Sequence, residues 1–351
     1  MQKAKLIFVI ADFKDESPRS IRAQPRMWVK GLLRLGHDVQ RFAYRNILTQ
    51  FNPFSGRHFR RFMPRFARRT ADDILVKQIK PYHPDIVLIL SMKYLTVETV
   101  RAIRSVAADA IIVGRDEDPF PDKNPARLAI AGESDIVITT SGGKFLKTYK
   151  DAGVPRCAFI PNMCDTDIQH QYNVEEKWKT DIIFTGKAEH RRLGPQVGRD
   201  SDRYKLLHKL SKMSNAKMYG CFGNPEVEGI ELFYAISGAK IGLSINIAND
   251  VRLYHSDRLI NYVSCGTFVL AKRVPDSDLL FEDGVHVRYF DTFDDFFELA
   301  DWYMQHEQER GKIAMAGMQK AHADFNCEKI AQHMLDLIET GTYDAPWATI
   351  L

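Results

Sequence analysis

Short apolar runs alternate along this chain with longer segments whose apolar positions recur at helical spacing. LIFVI (6–10) has no polar position and predicts a strand covered on both faces. MWVKGLLRLG (27–36) follows as a helix, with Gly36 as the turn residue that ends it. DVQRF (38–42), DIVLIL (85–90), AIIVG (110–114), DIVIT (135–139) and CAFIP (157–161) continue the strand series. Helix-length stretches such as 96–107 and 142–151 lie between them. Apolar strands separated by helices predict a parallel sheet sandwiched between helical layers.

The alternation pauses at 162–180, which is polar and aperiodic, and then resumes. DIIFTG (181–186), AKMYG (216–220), IGLSI (241–245), TFVLA (267–271) and VHVRYF (285–290) form the second strand series, and 293–305, 308–322 and 327–339 are helical. The expected fold is α/β, with two tandem Rossmann-like domains facing each other across a cleft. They span 1–163 and 181–325, joined by a linker at 164–180. Open parallel sheets bind ligands beyond the C-terminal ends of their strands, so function belongs to the loops there.

Composition excludes several classes. A chain of 351 residues exceeds what one core usually serves. A net charge of +4 does not by itself argue for nucleic acid, and no nucleic-acid partner is expected. The 5 cysteines form no CxxC pair, which suits buried thiols in a reducing compartment. No run approaches the roughly 20 apolar residues of a membrane span, and the N-terminal apolar run reads as a strand, not a leader. A cytoplasmic location follows, with contact at the inner membrane face left open. There is no P-loop, no GxGxxG after the first strand and no Gly-x-Ser-x-Gly elbow. His37, His83, His190, His208 and His255 are scattered without ligand spacing, so no metal is expected.

The densest candidate chemistry lies in HSDRLINYVSCGTFVLAKRVPD (255–276). Ser256 suits an N-cap, Asp257 suits the positive end of a helix, and Gly266 turns the chain into the next strand. The free N–H groups of that helix make an anion site, to which Arg258 adds a two-pronged cation. Asn261 lies three residues on, on the same face. A capped connector helix with a solvated arginine is the alternative.

The segment 181–325 resembles the donor-binding half of a GT-B glycosyltransferase, most closely the CgeB-like or "glycosyl transferases group 1" family. The resemblance rests on IIFTGK, on DRYKLLHKL with Arg203, on Tyr219-Gly220, on SDRLINYVSCGTFVLA and on the tail from LLFEDGVHVRYF to AHADF. GRDEDPF and DIVITTSGGKFLKTYKDAGVPRCAFIPN extend it more loosely into the first half. It implies transfer of a sugar from a nucleotide-sugar to a hydroxyl acceptor, in polysaccharide or glycoconjugate assembly, with the nucleotide-sugar as co-substrate and no further cofactor. It also implies that the C-terminal part, 326–351, packs back on the first domain. By the same resemblance Gly186 admits the donor to the backbone and Lys187 neutralises a phosphate. Arg203, Tyr219, Gly220, Asn246, Arg252, Tyr254, Ser256 and Asn261 complete the donor site, and Arg258 grips the departing diphosphate. Many related enzymes carry Glu where Asn261 stands, which leaves the donor open. A nucleotide-sugar epimerase of the same fold and a non-catalytic sugar-binding protein are the alternatives.

GRDEDPF (114–120) puts Asp116, Glu117 and Asp118 after a strand of the first half, where crowding raises at least one pKa. Asp116 is the expected general base, with Asp12 and Asp15 as rivals; Asp12, Asp15, Arg22, Glu117 and Asp118 are the expected acceptor contacts. A turn with solvated acids is the alternative. RHFRRFMPRFARR (57–69) interleaves Phe59, Phe62 and Phe66 with arginines and has no acid. Such a segment suits an anionic membrane surface or an acidic acceptor, and a lipid-linked acceptor fits it; nucleic-acid binding and a plain solvated loop are the alternatives.

Overall fold

A computed structural model of the protein describes residues 3–13, 23–52, 64–117, 120–189 and 198–351. Asp15, Arg22, Asp118, His190 and positions 57–63 lie outside these residues. The chain divides into two compact units, Met1–Ile160 with Ala331–Leu351, and Pro161–Ile330.

The first unit holds six parallel strands in the order β2-β1-β3-β4-β5-β6. They are β1 (Leu6–Ile10), β2 (Asp38–Phe42), β3 (Ile86–Ile89), β4 (Ile111–Asp116), β5 (Ile136–Thr139) and β6 (Arg156–Phe159). The central ones are buried along their whole length, as their unbroken apolar runs require. Helices α1 (Ala23–Arg34), α2 (Tyr44–Phe51), α3 (Arg65–Tyr82), α4 (Val97–Val106), α5 (Pro125–Gly132) and α6 (Lys144–Asp151) connect them. Helix α1 starts earlier than its apolar stripe suggests and buries Trp28 and Leu32, while Gly36 takes φ +85° beyond its end. Part of 57–69 is not loop. From Arg65 onward it is the start of α3, because Ala67, Ala71, Leu75 and Ile79 form a buried stripe at helical spacing. The final helix of the chain, α12 (Cys327–Thr340), runs into this unit, and the residues after it pair with β6. Cys157 and Leu351 exchange backbone hydrogen bonds at 2.9 and 2.8 Å. The Lys5–Glu339 ion pair adds a contact at 2.9 Å.

The second unit has five parallel strands in the order β11-β10-β9-β7-β8. They are β7 (Thr180–Thr185), β8 (Ala216–Tyr219), β9 (Ala239–Ser244), β10 (Phe268–Lys272) and β11 (Arg288–Phe290). Helices α7 (Asp202–Leu210), α8 (Ile230–Ser237), α9 (Asp257–Ser264), α10 (Phe293–Gln305) and α11 (Glu307–Asp324) flank them. Phe184, Leu207, Leu243, Leu270, Phe290 and Phe296 centre the core. Residues 164–180, read from sequence as a linker, pack onto this unit. Gln169 is fully buried, and Tyr172 meets Tyr234 edge to face at 5.1 Å. Both sheets reverse their order at one place, between β1 and β3 and between β7 and β9. All five cysteines are buried free thiols.

Candidate functional site

In the second unit the reversal lies between the ends of β7 and β9, the position where open α/β sheets receive ligands. Arg258, in the first turn of α9, spans it. Its Nε donates to Thr185 O beyond β7 at 2.7 Å, and its Nη1 donates to Ile245 O beyond β9 at 3.1 Å. The guanidinium lies over the Phe184 ring, 4.4 Å from its centroid. Nη2 is left without a hydrogen bond in the protein among the described residues, and it faces Gly186. A Cβ on Gly186 would stand 2.9 Å from it, and φ there is +121°, so only glycine fits. Gly186 N donates to Tyr219 O at 2.8 Å, and Gly220 packs against Gly186 O, bringing the ends of β7 and β8 together.

Tyr262, one turn after Arg258, completes the support. Its ring lies on β9 at Gly242, where a Cβ would meet Cδ2 at 2.5 Å, and its hydroxyl accepts from Thr185 N at 2.8 Å. The sequence reading missed it; its place four residues after Arg258 on a helix was the available signal.

Ser256 occupies the N-cap position of α9 without capping it. Its Oγ turns to Arg258 Nη1 at 3.0 Å and makes no side-chain cap to the helix. Asn246 ties down the loop that leads to the helix. Its Nδ2 donates to Tyr254 O at 3.2 Å and its Oδ1 accepts from Ser256 N at 3.0 Å. That amide is therefore a brace, and not the direct donor contact expected from sequence. Within the braced loop Leu253 takes φ +59° while fully buried. The His255 ring nitrogen Nδ1 lies 3.2 Å from Leu253 O, and its buried Nε2 has no partner. Burial pushes the His255 pKa down to about 4, so the ring is neutral.

Arg203 is 4% exposed and spends its guanidinium on Lys187 O at 2.6 Å, Ala188 O and Ile245 O at 3.4 Å. It positions the Lys187 turn and does not reach for a ligand. Burial first, then the charge of Arg258, pull its pKa down to about 9, and burial lowers that of Arg258. Among the described residues neither arginine pairs with a carboxylate. The site is thus a desolvated positive centre awaiting a counter-charge. Lys187 is exposed beside it. Two candidates point elsewhere. Arg252 pairs with Asp276 at 2.5 Å, and Asn261 Oδ1 accepts from Gln169 Nε2 at 2.7 Å, which ties α9 to the 164–180 segment.

In the first unit the described carboxylates expected as base and acceptor contacts, Asp12, Asp116 and Glu117, each pair with an arginine. Asp116, at the end of β4, is 5% exposed, pairs with Arg127 Nε at 2.9 Å and accepts from the Tyr149 hydroxyl. Glu117 pairs with Arg115, whose guanidinium lies 5.7 Å from the Trp28 ring centroid. Asp12 pairs with Arg45 at 3.2 Å. Asp116 ties the end of β4 to α5 through Arg127 and to α6 through Tyr149. Arg127 and Tyr149 are distant from Asp116 in sequence, and no local pattern announces them.

A cavity of about 660 Å³ opens at the opposite, N-terminal edge of the second sheet, lined by Thr180, Ala239, Phe268 and Arg310 among others; none of the candidate residues lines it. No group of three or more His, Cys, Asp or Glu among the described residues is placed to hold a metal ion. Among them, too, no helix is long and apolar enough to cross a membrane.

Two tandem doubly wound units, with a desolvated arginine centre at the switch point of the second, define the GT-B class of α/β protein. Within it, residues 202–336 match the family described as glycosyl transferase-like. HepE of Anabaena, solved with UDP and glucose, superposes with a TM-score of 0.61 over 96% of this chain and 100% of its own at 14% identity. Sucrose-phosphate synthase of Thermosynechococcus elongatus gives 0.61 over 95% and 98%, also at 14% identity. A glycosyltransferase of Rickettsia africae gives 0.56 over 95% and 98% at 14% identity. These likenesses establish the fold. No curated protein matches the chain.

Proposed function

We propose that this protein transfers a sugar from a nucleoside-diphosphate sugar to a hydroxyl acceptor, and that the diphosphate sits at the Gly186–Arg258 notch. One observation carries the reading. Among the described residues two neighbouring buried guanidiniums lack a carboxylate partner, and one of them presents its remaining nitrogen to a glycine where any side chain would be strained. A diphosphate supplies the missing negative charge there, and the positive end of the α9 dipole favours it. Fixed donors of this kind, aimed at a departing diphosphate in a site shielded from water, stabilise the charge that develops as the sugar leaves. The bound UDP in HepE makes UDP-sugars the first donors to try.

The first unit takes the acceptor in this reading. Phe66, 58% exposed between Arg65 and Arg69, supports contact with an anionic membrane surface and hence a lipid-linked acceptor. Calorimetric titration with UDP-, GDP-, dTDP- and CMP-sugars, on the wild type and on Arg258→Ala, tests the donor site. The expected result is one nucleotide bound by the wild type and weakened in the variant. Absence of binding by every nucleotide at millimolar concentration would overturn the reading.

A further inference from the structure

The turn from β5 into α6 in the first unit holds an arrangement that the proposed donor site does not use. Thr140, Ser141, Gly142 and Gly143 join the end of β5 to Lys144, the first residue of α6. Gly143 stands at the N-cap with φ 60° and ψ −127°, a conformation suited to glycine, and brings no side chain to cap the helix. Among the described residues the N–H groups of Gly142, Gly143 and Phe145 have no hydrogen-bond partner. Ser141 leads into the turn. Its N–H donates to Thr139 Oγ1 at 3.2 Å, but its own hydroxyl, on a residue 1% exposed, has no partner among the described residues. Buried hydroxyls are nearly always paired, so an unpaired one beside unpaired amides is a cost without a return unless a ligand completes it.

The turn is also rigidly supported. The Tyr149 hydroxyl of α6 donates to Asp116, and Phe145 meets Phe120 edge to face at 5.7 Å. Asp116 lies in register with Thr139, and Thr140 Oγ1 donates to the Glu117 backbone O at 3.0 Å, so both acidic residues adjoin the turn through their backbone. Arg127 and Arg115 neutralise them, and repulsion of an anion is correspondingly reduced. The exposed Lys144 adds a cation at the positive end of the helix.

We propose that this turn binds a phosphate group carried by the acceptor. Amide donors on successive residues, a hydroxyl and a helix N-terminus surround a tetrahedral oxyanion more completely than a planar carboxylate. The word acceptor rests on the transferase reading above; the phosphate site rests on the turn alone. The phosphate is a monoester of a soluble sugar or a diester on a larger carrier, and small probes separate the two.

Hydrogen–deuterium exchange of the full chain, followed by mass spectrometry on peptides covering 139–148, reads the turn directly. The probes are methyl phosphate, dimethyl phosphate and acetate at matched ionic strength, on the wild type and on Ser141→Ala. Unbonded amides exchange fast, so occupancy slows them. Slowing by methyl phosphate assigns a monoester, slowing by dimethyl phosphate a diester, and either supports the site. Ser141→Ala should raise the half-saturating concentration about tenfold, the worth of one hydrogen bond to a charged group, with the Tm unchanged. No slowing by either phosphate, equal slowing by acetate, or an unaltered response in Ser141→Ala overturns the inference. UDP titration of the same samples keeps the two readings apart. Loss of UDP binding with the turn still responsive sinks the donor site alone, and the converse sinks this site alone.

Discussion

Gly186→Ala puts one methyl group where the donor notch has no room. The φ of +121° lies outside the range that L side chains tolerate, which costs about 1–3 kcal/mol. The new Cβ would also stand 2.9 Å from Arg258 Nη2. Relief by withdrawing Arg258 means giving up its bonds to Thr185 O at 2.7 Å, Ile245 O at 3.1 Å and Ser256 Oγ at 3.0 Å. Hydrogen bonds to a charged group contribute about 1.5–3 kcal/mol each, so the cheaper response is a shift of the Gly186 backbone, with the methyl still between Nη2 and the notch. The expected loss of stability is about 2 kcal/mol. UDP affinity should fall by about tenfold or more, since 1.4 kcal/mol is lost with even one charge-assisted contact. Urea unfolding reads the first quantity and calorimetry with UDP the second. A variant that unfolds at the wild-type midpoint and binds UDP as tightly as the wild type would refute both the fit at Gly186 and the placement of the diphosphate.

Arg258→Lys should recover little of the binding lost in Arg258→Ala, because an ammonium cannot span Thr185 O and Ile245 O while facing the notch; comparable UDP affinity in the lysine variant and wild type would contradict this. Asp116→Asn should destabilise the protein by about 1.5–3 kcal/mol, by removing the charge that faces the half-buried Arg127, and chemical denaturation measures it; a fully stable variant that has lost only its turnover would point to Asp116 as the base. His255 has its folded pKa depressed to about 4 against about 6.5 for the unfolded chain, so its contribution to stability is complete above pH 6.5 and is lost as pH falls toward 4. His255→Asn should therefore flatten the decline of the urea midpoint over that window, and an unchanged slope would show that the ring is already solvated. Phe66→Glu should lower cosedimentation of the protein with vesicles rich in phosphatidylglycerol, and equal cosedimentation of the two proteins would remove the membrane contact.

Nearly every strand was legible in the chain because a parallel strand buried on both faces must be apolar throughout. LIFVI and DVQRF coincide with β1 and β2, and the other runs lie within a few residues of β3 to β11. Helices α10 to α12 were equally plain from their periodicity. Part of 57–69 was harder to place, since its arginines mask a stripe that becomes apolar only from Ala67 onward. The site was half legible. Arg258 came out of the helix start at 256–258 and Gly186 out of a family resemblance, and the structure brings them face to face. Arg203, Asn246 and Ser256 were also singled out, but as ligand contacts, whereas they hold backbone and Arg258 in place.

The local pattern alone determined what depends on neighbours in the chain: which runs are buried strands, which segments are helices, and which loops follow strand ends. Hydrophobic period and turn chemistry act over a few residues, so a sequence displays them. Only the tertiary structure decided how charges are spent. Asp116 meets Arg127 and Tyr149, and Arg258 meets Thr185 and Ile245, across separations that no local pattern encodes. Whether a carboxylate or a guanidinium is free for a ligand depends on the partner that folding brings to it and on how much water folding removes.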